Sequence, residues 1–122
     1  MRREKRRSVR VSAEHLIAFS CFKPGESVPF DHSMGKTVNV GEGGFMLYVY
    51  KSLRKGTLLD LDIAIGNRII HAKVEVLQTR KGPSNGEGFF TSTRFIFIDH
   101  RDYHEMMQRD GIPVVKRAGN LN

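Results

Sequence analysis

The stretch from Thr57 to Thr79 reads TLLDLDIAIGNRIIHAKVEVLQT, and it decides the fold class. Leu59, Leu61, Ile63 and Ile65 fall on one face of an extended chain. Asp60 and Asp62 fall on the other, with Leu58 and Ala64 as exceptions. Side chains alternate across a strand, so this period of two predicts a half-buried strand over residues 57–65. Gly66-Asn67 supplies a tight turn into a second strand over residues 68–79. There Ile70, Ala72, Val74 and Val76 share a face opposite His71, Lys73 and Glu75.

Outward from this hairpin, turn signals recur at Lys23-Pro24-Gly25, Gly41 to Gly44, Lys55-Gly56 and Lys81 to Gly86. Between them, strands are predicted over residues 9–22, 34–40, 45–50 and 90–98, the last apolar on both faces toward Phe95-Ile96-Phe97-Ile98. Short strands at such spacing point to an all-β barrel or sandwich. A single helix is expected over residues 100–109, with Asp99 as N-cap and Tyr103, Met106 and Met107 as its apolar stripe. The tail after it holds Pro113 and Gly119 and is expected to be disordered.

At 122 residues the chain suits one domain. A hydrophobic content of 39% excludes a wholly disordered chain, and no apolar run approaches the roughly 20 residues of a spanning helix. One cysteine, Cys21, excludes an internal disulfide and a cysteine-based zinc cluster. Leu16 to Phe22 barely reaches the length of a signal core. Glu14 and His15 precede it, Lys23 follows it, and no A-x-A cleavage site appears, so a cytoplasmic chain without membrane insertion is expected.

Charge is concentrated at the start. Lys and Arg number 20 against 13 Asp and Glu, a net of +7. Arg2, Arg3, Lys5, Arg6, Arg7 and Arg10 against Glu4 give +5 within residues 1–10, which leaves +2 for the other 112. Such an arm suits an anionic partner, whether nucleic acid, nucleotide or acidic membrane surface. The expected organisation is a flexible basic arm over 1–10, a barrel with its helix over 11–110, and a disordered tail over 111–122.

Enzyme signatures are missing. The sequence has no H-E-x-x-H, G-x-S-x-G or G-x-x-x-x-G-K-[ST]. His100 and His104 share a helix face but lack a third metal ligand, and Cys21 in its apolar strand reads as core rather than nucleophile. Neither catalysis nor a bound metal or cofactor is expected.

Two features remain. In an extended segment Arg6 and Arg10 would lie on one side, about 13 Å apart at their Cα atoms, and in a turn they would be closer. Their planar guanidiniums match phosphate and the guanine edge bidentately. Further on, Asn39 ends a strand before Gly41-Glu42-Gly43-Gly44 and a new strand at Phe45. Asn can read a base edge, and the glycines permit positive φ and close approach of a ligand.

Taken in order, Arg6-x-x-x-Arg10 and then Asn39-x-Gly41-x-x-Gly44 resemble the PilZ domain family, whose signature is R-x-x-x-R followed by [D/N]-x-S-x-x-G. The similarity runs over roughly residues 4–108. It implies a six-stranded antiparallel, split-barrel-like β-barrel with a C-terminal helix, acting as a cyclic di-GMP receptor in a bacterial cytoplasm and signalling to a downstream protein partner. By position, Arg6, Arg7 and Arg10 of the arm, with Asn39, Gly41 and Gly44, are the expected ligand-binding residues. Arg6 and Arg10 would clasp phosphates and guanine edges, Asn39 would bond a guanine, and Gly44 would shape the turn. Gly41 stands where the family has Ser, which removes a hydroxyl from the ligand's surroundings. Two other readings compete: a non-binding adaptor of the same fold, and a small basic barrel for single-stranded nucleic acid, stacking bases on Phe or Tyr. DNA is not an expected partner.

Overall fold

The predicted hairpin is present in the computed structural model, which describes residues 10–83 and 86–111. Strands β5 (Leu58–Ile65) and β6 (Arg68–Lys81) pair antiparallel from Leu58↔Glu75 to Ile65↔Arg68. Gly66 takes a φ of +60° in the turn, a conformation that its missing Cβ makes cheap. Leu59, Leu61, Ile63, Ile65, Ile70, Val74 and Val76 are fully enclosed, while Asp60, Asp62, His71 and Lys73 face outward.

The remaining strands are β1 (Arg10–Ser12), β2 (Leu16–Phe22), β3 (Asp31–Gly41), β4 (Phe45–Val49) and β7 (Phe89–Ile98). Their order is β1-β3-β2-β5-β6-β7-β4, and pairing of β4 with β3 closes the ring. All pairings are antiparallel. Strands β2 to β7 therefore make a closed six-stranded barrel, the architecture that the motif resemblance implies. β1 continues along the edge of β3 that β2 occupies further down.

The expected strand over 9–22 is corrected to two pieces, broken at Ala13–His15. The cause is one hydroxyl. Thr37 Oγ1 donates to the Ala13 carbonyl at 2.6 Å and accepts from the His15 N–H at 2.8 Å, so a side chain replaces rungs of the ladder. The predicted arm ends inside the sheet, since Arg10 pairs with Gly41. The rest of that arm, and the tail from residue 112, lie outside the described residues.

Helix α1 (His100–Arg109) starts on Asp99, whose carboxylate accepts from the Arg101 and Asp102 N–H groups. Its buried Met106 and Met107 close one end of the barrel. Arg68, the first residue of β6 after the turn, bonds Asp102 at 2.9 Å and also Glu105. The hydrogen bond to Asp102, then the charge of Glu105, hold its guanidinium more firmly protonated. Opposite, Tyr103 donates to the Glu42 carbonyl at 3.1 Å, and His15 Nε2 meets the Asp110 carboxylate at 3.0 Å. The helix thus bridges the two turns at that end. Among the described residues no helix is long and apolar enough to cross a membrane.

Candidate functional site

The site grows from a flaw in β3. Thr37 faces Leu47 and Asn39 faces Met46, so Val38 has no partner of its own on β4. One extra residue reverses the side-chain faces beyond it. Thr37 and Val40 consequently both point into the barrel, fully buried, and Asn39 between them turns outward. There Arg10 Nη1 donates to Asn39 Oδ1 at 2.8 Å across the β1–β3 pair. That bond fixes the amide's orientation, with its NH2 donors directed elsewhere. Arg10 keeps further N–H donors for an acceptor from solution.

The turn beyond is tight. The Gly41 N–H donates to the Gly44 carbonyl at 3.0 Å, and the Phe95 N–H donates to the Gly43 carbonyl at 2.8 Å. Gly41 and Gly44 are both buried. A Cβ at Gly44 would stand 2.1 Å from the Thr93 carbonyl oxygen and 2.8 Å from the Arg94 Cα. Glycine is required there because two backbones touch, and the backbone it admits is that of β7. The freedom to take positive φ is not used in this turn, since the left-handed glycines among the described residues are Gly25, Gly56, Gly66 and Gly111. Phe45 completes the corner: its N–H and carbonyl both bond the hydroxyl of Thr93, at 3.2 and 3.1 Å.

The structure therefore brings Arg10, Asn39, Gly41 and Gly44 to one corner, next to the helix. Arg6 and Arg7 lie outside the described residues. A further row escaped the sequence reading. Lys36 pairs with Tyr48, Tyr48 with Phe90 and Phe90 with Arg80 across the outer faces of β3, β4, β7 and β6. The Tyr48 and Phe90 rings lie 5.2 Å apart, and the Arg80 guanidinium sits 5.0 Å from the Phe90 ring centre. The signal was in the alternation of Phe45-Met46-Leu47-Tyr48-Val49, which sends Tyr48 outward. Cations, an amide and aromatic faces on one wall suit a planar, anionic, hydrogen-bonding ligand.

Among the described residues no three His, Cys, Asp or Glu side chains gather to hold a metal. Cys21 is wholly enclosed, and burial foremost, helped by the charge of Asp31, pushes its thiol up to about 11. A thiol so held is core, as expected from its strand.

No family model matches the chain, and no curated protein is significantly similar to it in sequence. Solved structures are similar in fold. The inhibitor of motility MotI/DgrA from Bacillus subtilis superposes with a TM-score of 0.68 at 19% identity, covering 86% of this chain and 49% of that one. This chain thus spans about half the length of that protein. The PilZ domain of YcgR from Escherichia coli, solved with c-di-GMP, gives a TM-score of 0.61 at 15% identity, covering 87% and 88%. Barrel and closing helix agree with the motif resemblance, and the fold of this chain is that of a PilZ-like domain.

Proposed function

We propose that this chain is a receptor module for cyclic di-GMP, which passes the binding event to a partner protein. The observation that carries the reading is the bond between Arg10 and Asn39. It joins the last residue of the R-x-x-x-R motif to the first residue of the second motif, on the outside of a barrel shared with a domain solved with that nucleotide. Arg6 and Arg7 complete the clasp from the arm. Arg10 and Arg6 hold phosphate oxygens and guanine edges, Asn39 offers its amide N–H to a base, and the Gly41–Gly44 turn, anchored by its buried end glycines, sets the height of the ligand above the sheet. The arm folds over the ligand and changes the surface that a partner meets.

Calorimetric titration with cyclic di-GMP tests this, with GTP, cyclic di-AMP and a single-stranded RNA as competitors. Guanine-dependent binding is expected. Arg6→Ala and Arg10→Ala should each weaken it by about 1.5–3 kcal/mol, the range for hydrogen bonds to charged groups. Arg2→Ala and Arg3→Ala should have little effect, because they act only through screened charge. Equal losses in all four variants would reduce the arm to a generic anion patch. RNA preference would select a nucleic-acid barrel. Silence with every ligand would select the adaptor reading, which the missing hydroxyl at Gly41 favours.

A further inference from the structure

The barrel end away from helix α1 holds a cleft of about 560 Å³. Its walls are the β2–β3 loop, through Lys23, Pro24 and Phe30, and the β4–β5 connection, through Lys51, Leu53, Arg54 and Lys55. Four cations face one carboxylate, Asp31, and Lys51 already neutralises it at 2.9 Å. Among the described residues no carboxylate pairs with Lys23, Arg54 or Lys55. The 112 residues after the arm carry only +2 in total, so this single cleft, at +3, holds more than the whole positive balance of the body.

The cleft is also apolar in part. Leu53 lies beneath it, 7% exposed, while Phe30 stands 52% exposed on its wall. Val28 on the same loop and Tyr50 beside Lys51 are 71% and 61% exposed. Both walls are held in place. The Glu26 N–H bonds the Lys23 carbonyl, Phe30 bonds back to Cys21, Thr57 bonds Arg54, and Gly56 bonds Val76. The cations therefore project from hydrogen-bonded turns.

We propose that this cleft docks an acidic segment of a partner protein, with carboxylates on Lys23, Arg54 and Lys55 and an apolar side chain against Phe30. Lysine dominates the cation set, and a lysine is a point charge without the planar fork that selects a phosphoester. Point charges spread around an apolar wall match carboxylates spread along a peptide. Exposed apolar side chains rimmed by charge are what a protein interface offers. The cleft lies at the opposite end of the barrel from the Arg10–Asn39 corner, so this proposal does not depend on the nucleotide reading.

The test uses the full chain without nucleotide and a fluorescein-labelled peptide of Asp and Glu flanking a central Leu-Phe pair. Its Asn and Gln counterpart is the control. The acidic peptide should bind, more weakly as salt rises, and the neutral one should not. The triple variant Lys23→Gln, Arg54→Gln, Lys55→Gln should lose about tenfold in affinity, from the loss of three exposed ion pairs. The arm triple Arg2→Gln, Arg3→Gln, Lys5→Gln removes the same charge and should change affinity by less than about twofold. Phe30→Ala should cost about fivefold through lost apolar contact. Melting temperatures check that the variants fold, and Arg54→Glu at its exposed turn is a second probe if the triple melts early. Equal weakening by both triples, or wild-type affinity in the cleft triple, would overturn the proposal. So would phosphatidylserine vesicles binding through these three cations while the peptide does not.

Discussion

In the β5–β6 hairpin, Leu59, Leu61, Ile63 and Ile65 fill the barrel, while Asp60 and Asp62 face outward and pair with Lys73 and His71. In the β3–β4 corner, the Gly44 Cα lies against the β7 backbone, the Thr37 hydroxyl stands in for two strand rungs, and the Thr93 hydroxyl serves both polar groups of Phe45. The hairpin is held by what its side chains add. The corner is held by what is absent at Gly44 and by a few hydroxyls. Removing atoms should damage the first, and adding atoms or deleting single polar groups should damage the second.

The largest effects test that contrast directly. Leu61→Ala leaves a cavity in the core and should cost about 2–5 kcal/mol in urea denaturation. Gly44→Ala adds a single methyl, yet should cost about 3 kcal/mol because the clash is with backbone that cannot rotate away. A Gly44→Ala protein that melts like wild type would erase the contrast. Next comes pH. The Cys21 thiol is raised from 9.0 to about 11, so the unfolded chain ionises it first. Its contribution to stability is complete below pH 9 and is lost as pH rises toward 11, a change of about 2–3 kcal/mol. Cys21→Ala should flatten that alkaline slope, and an unchanged slope would move its origin to another group. Thr37→Val keeps the shape but strands the His15 N–H and the Ala13 carbonyl, at a cost of about 1–3 kcal/mol. The smallest effect sharpens the corner as a binding surface. Gly41 lies outside the left-handed region, so Gly41→Ser meets no backbone strain there. The added hydroxyl should tighten cyclic di-GMP binding by up to about tenfold, or 0.5–1.5 kcal/mol, with unchanged melting. Weaker binding in a stable variant would mean that the family's Ser does not map onto Gly41.

The same contrast explains what the sequence made legible. Alternation is a signal of side-chain burial, so β5, β6 and the stripe of helix α1 could be read residue by residue. Backbone contact leaves a fainter trace. Gly44 was marked as a turn glycine, but nothing local says that its neighbour is Thr93, 49 residues away. The bulge at Val38 buries a threonine that alternation with Val38 and Val40 places outside. The split in 9–22 depends on that same threonine. At the site, Arg10 and Asn39 were legible through their motif spacing. The Lys36–Tyr48–Phe90–Arg80 row was not, because four separate strands supply it and no spacing along the chain encodes lateral order.

The chain has no tryptophan and three tyrosines. Tyr48 and Tyr50 stand 5.5 Å apart on the outer face of β4 and just past its end, while Tyr103 is bonded to the Glu42 carbonyl in the glycine turn. The ultraviolet emission of the protein therefore comes from two separate places, with no indole to mask either. One emitter has its hydroxyl on the backbone over which a nucleotide would settle, so the native chain carries an optical gauge of that turn and needs no dye attached to it.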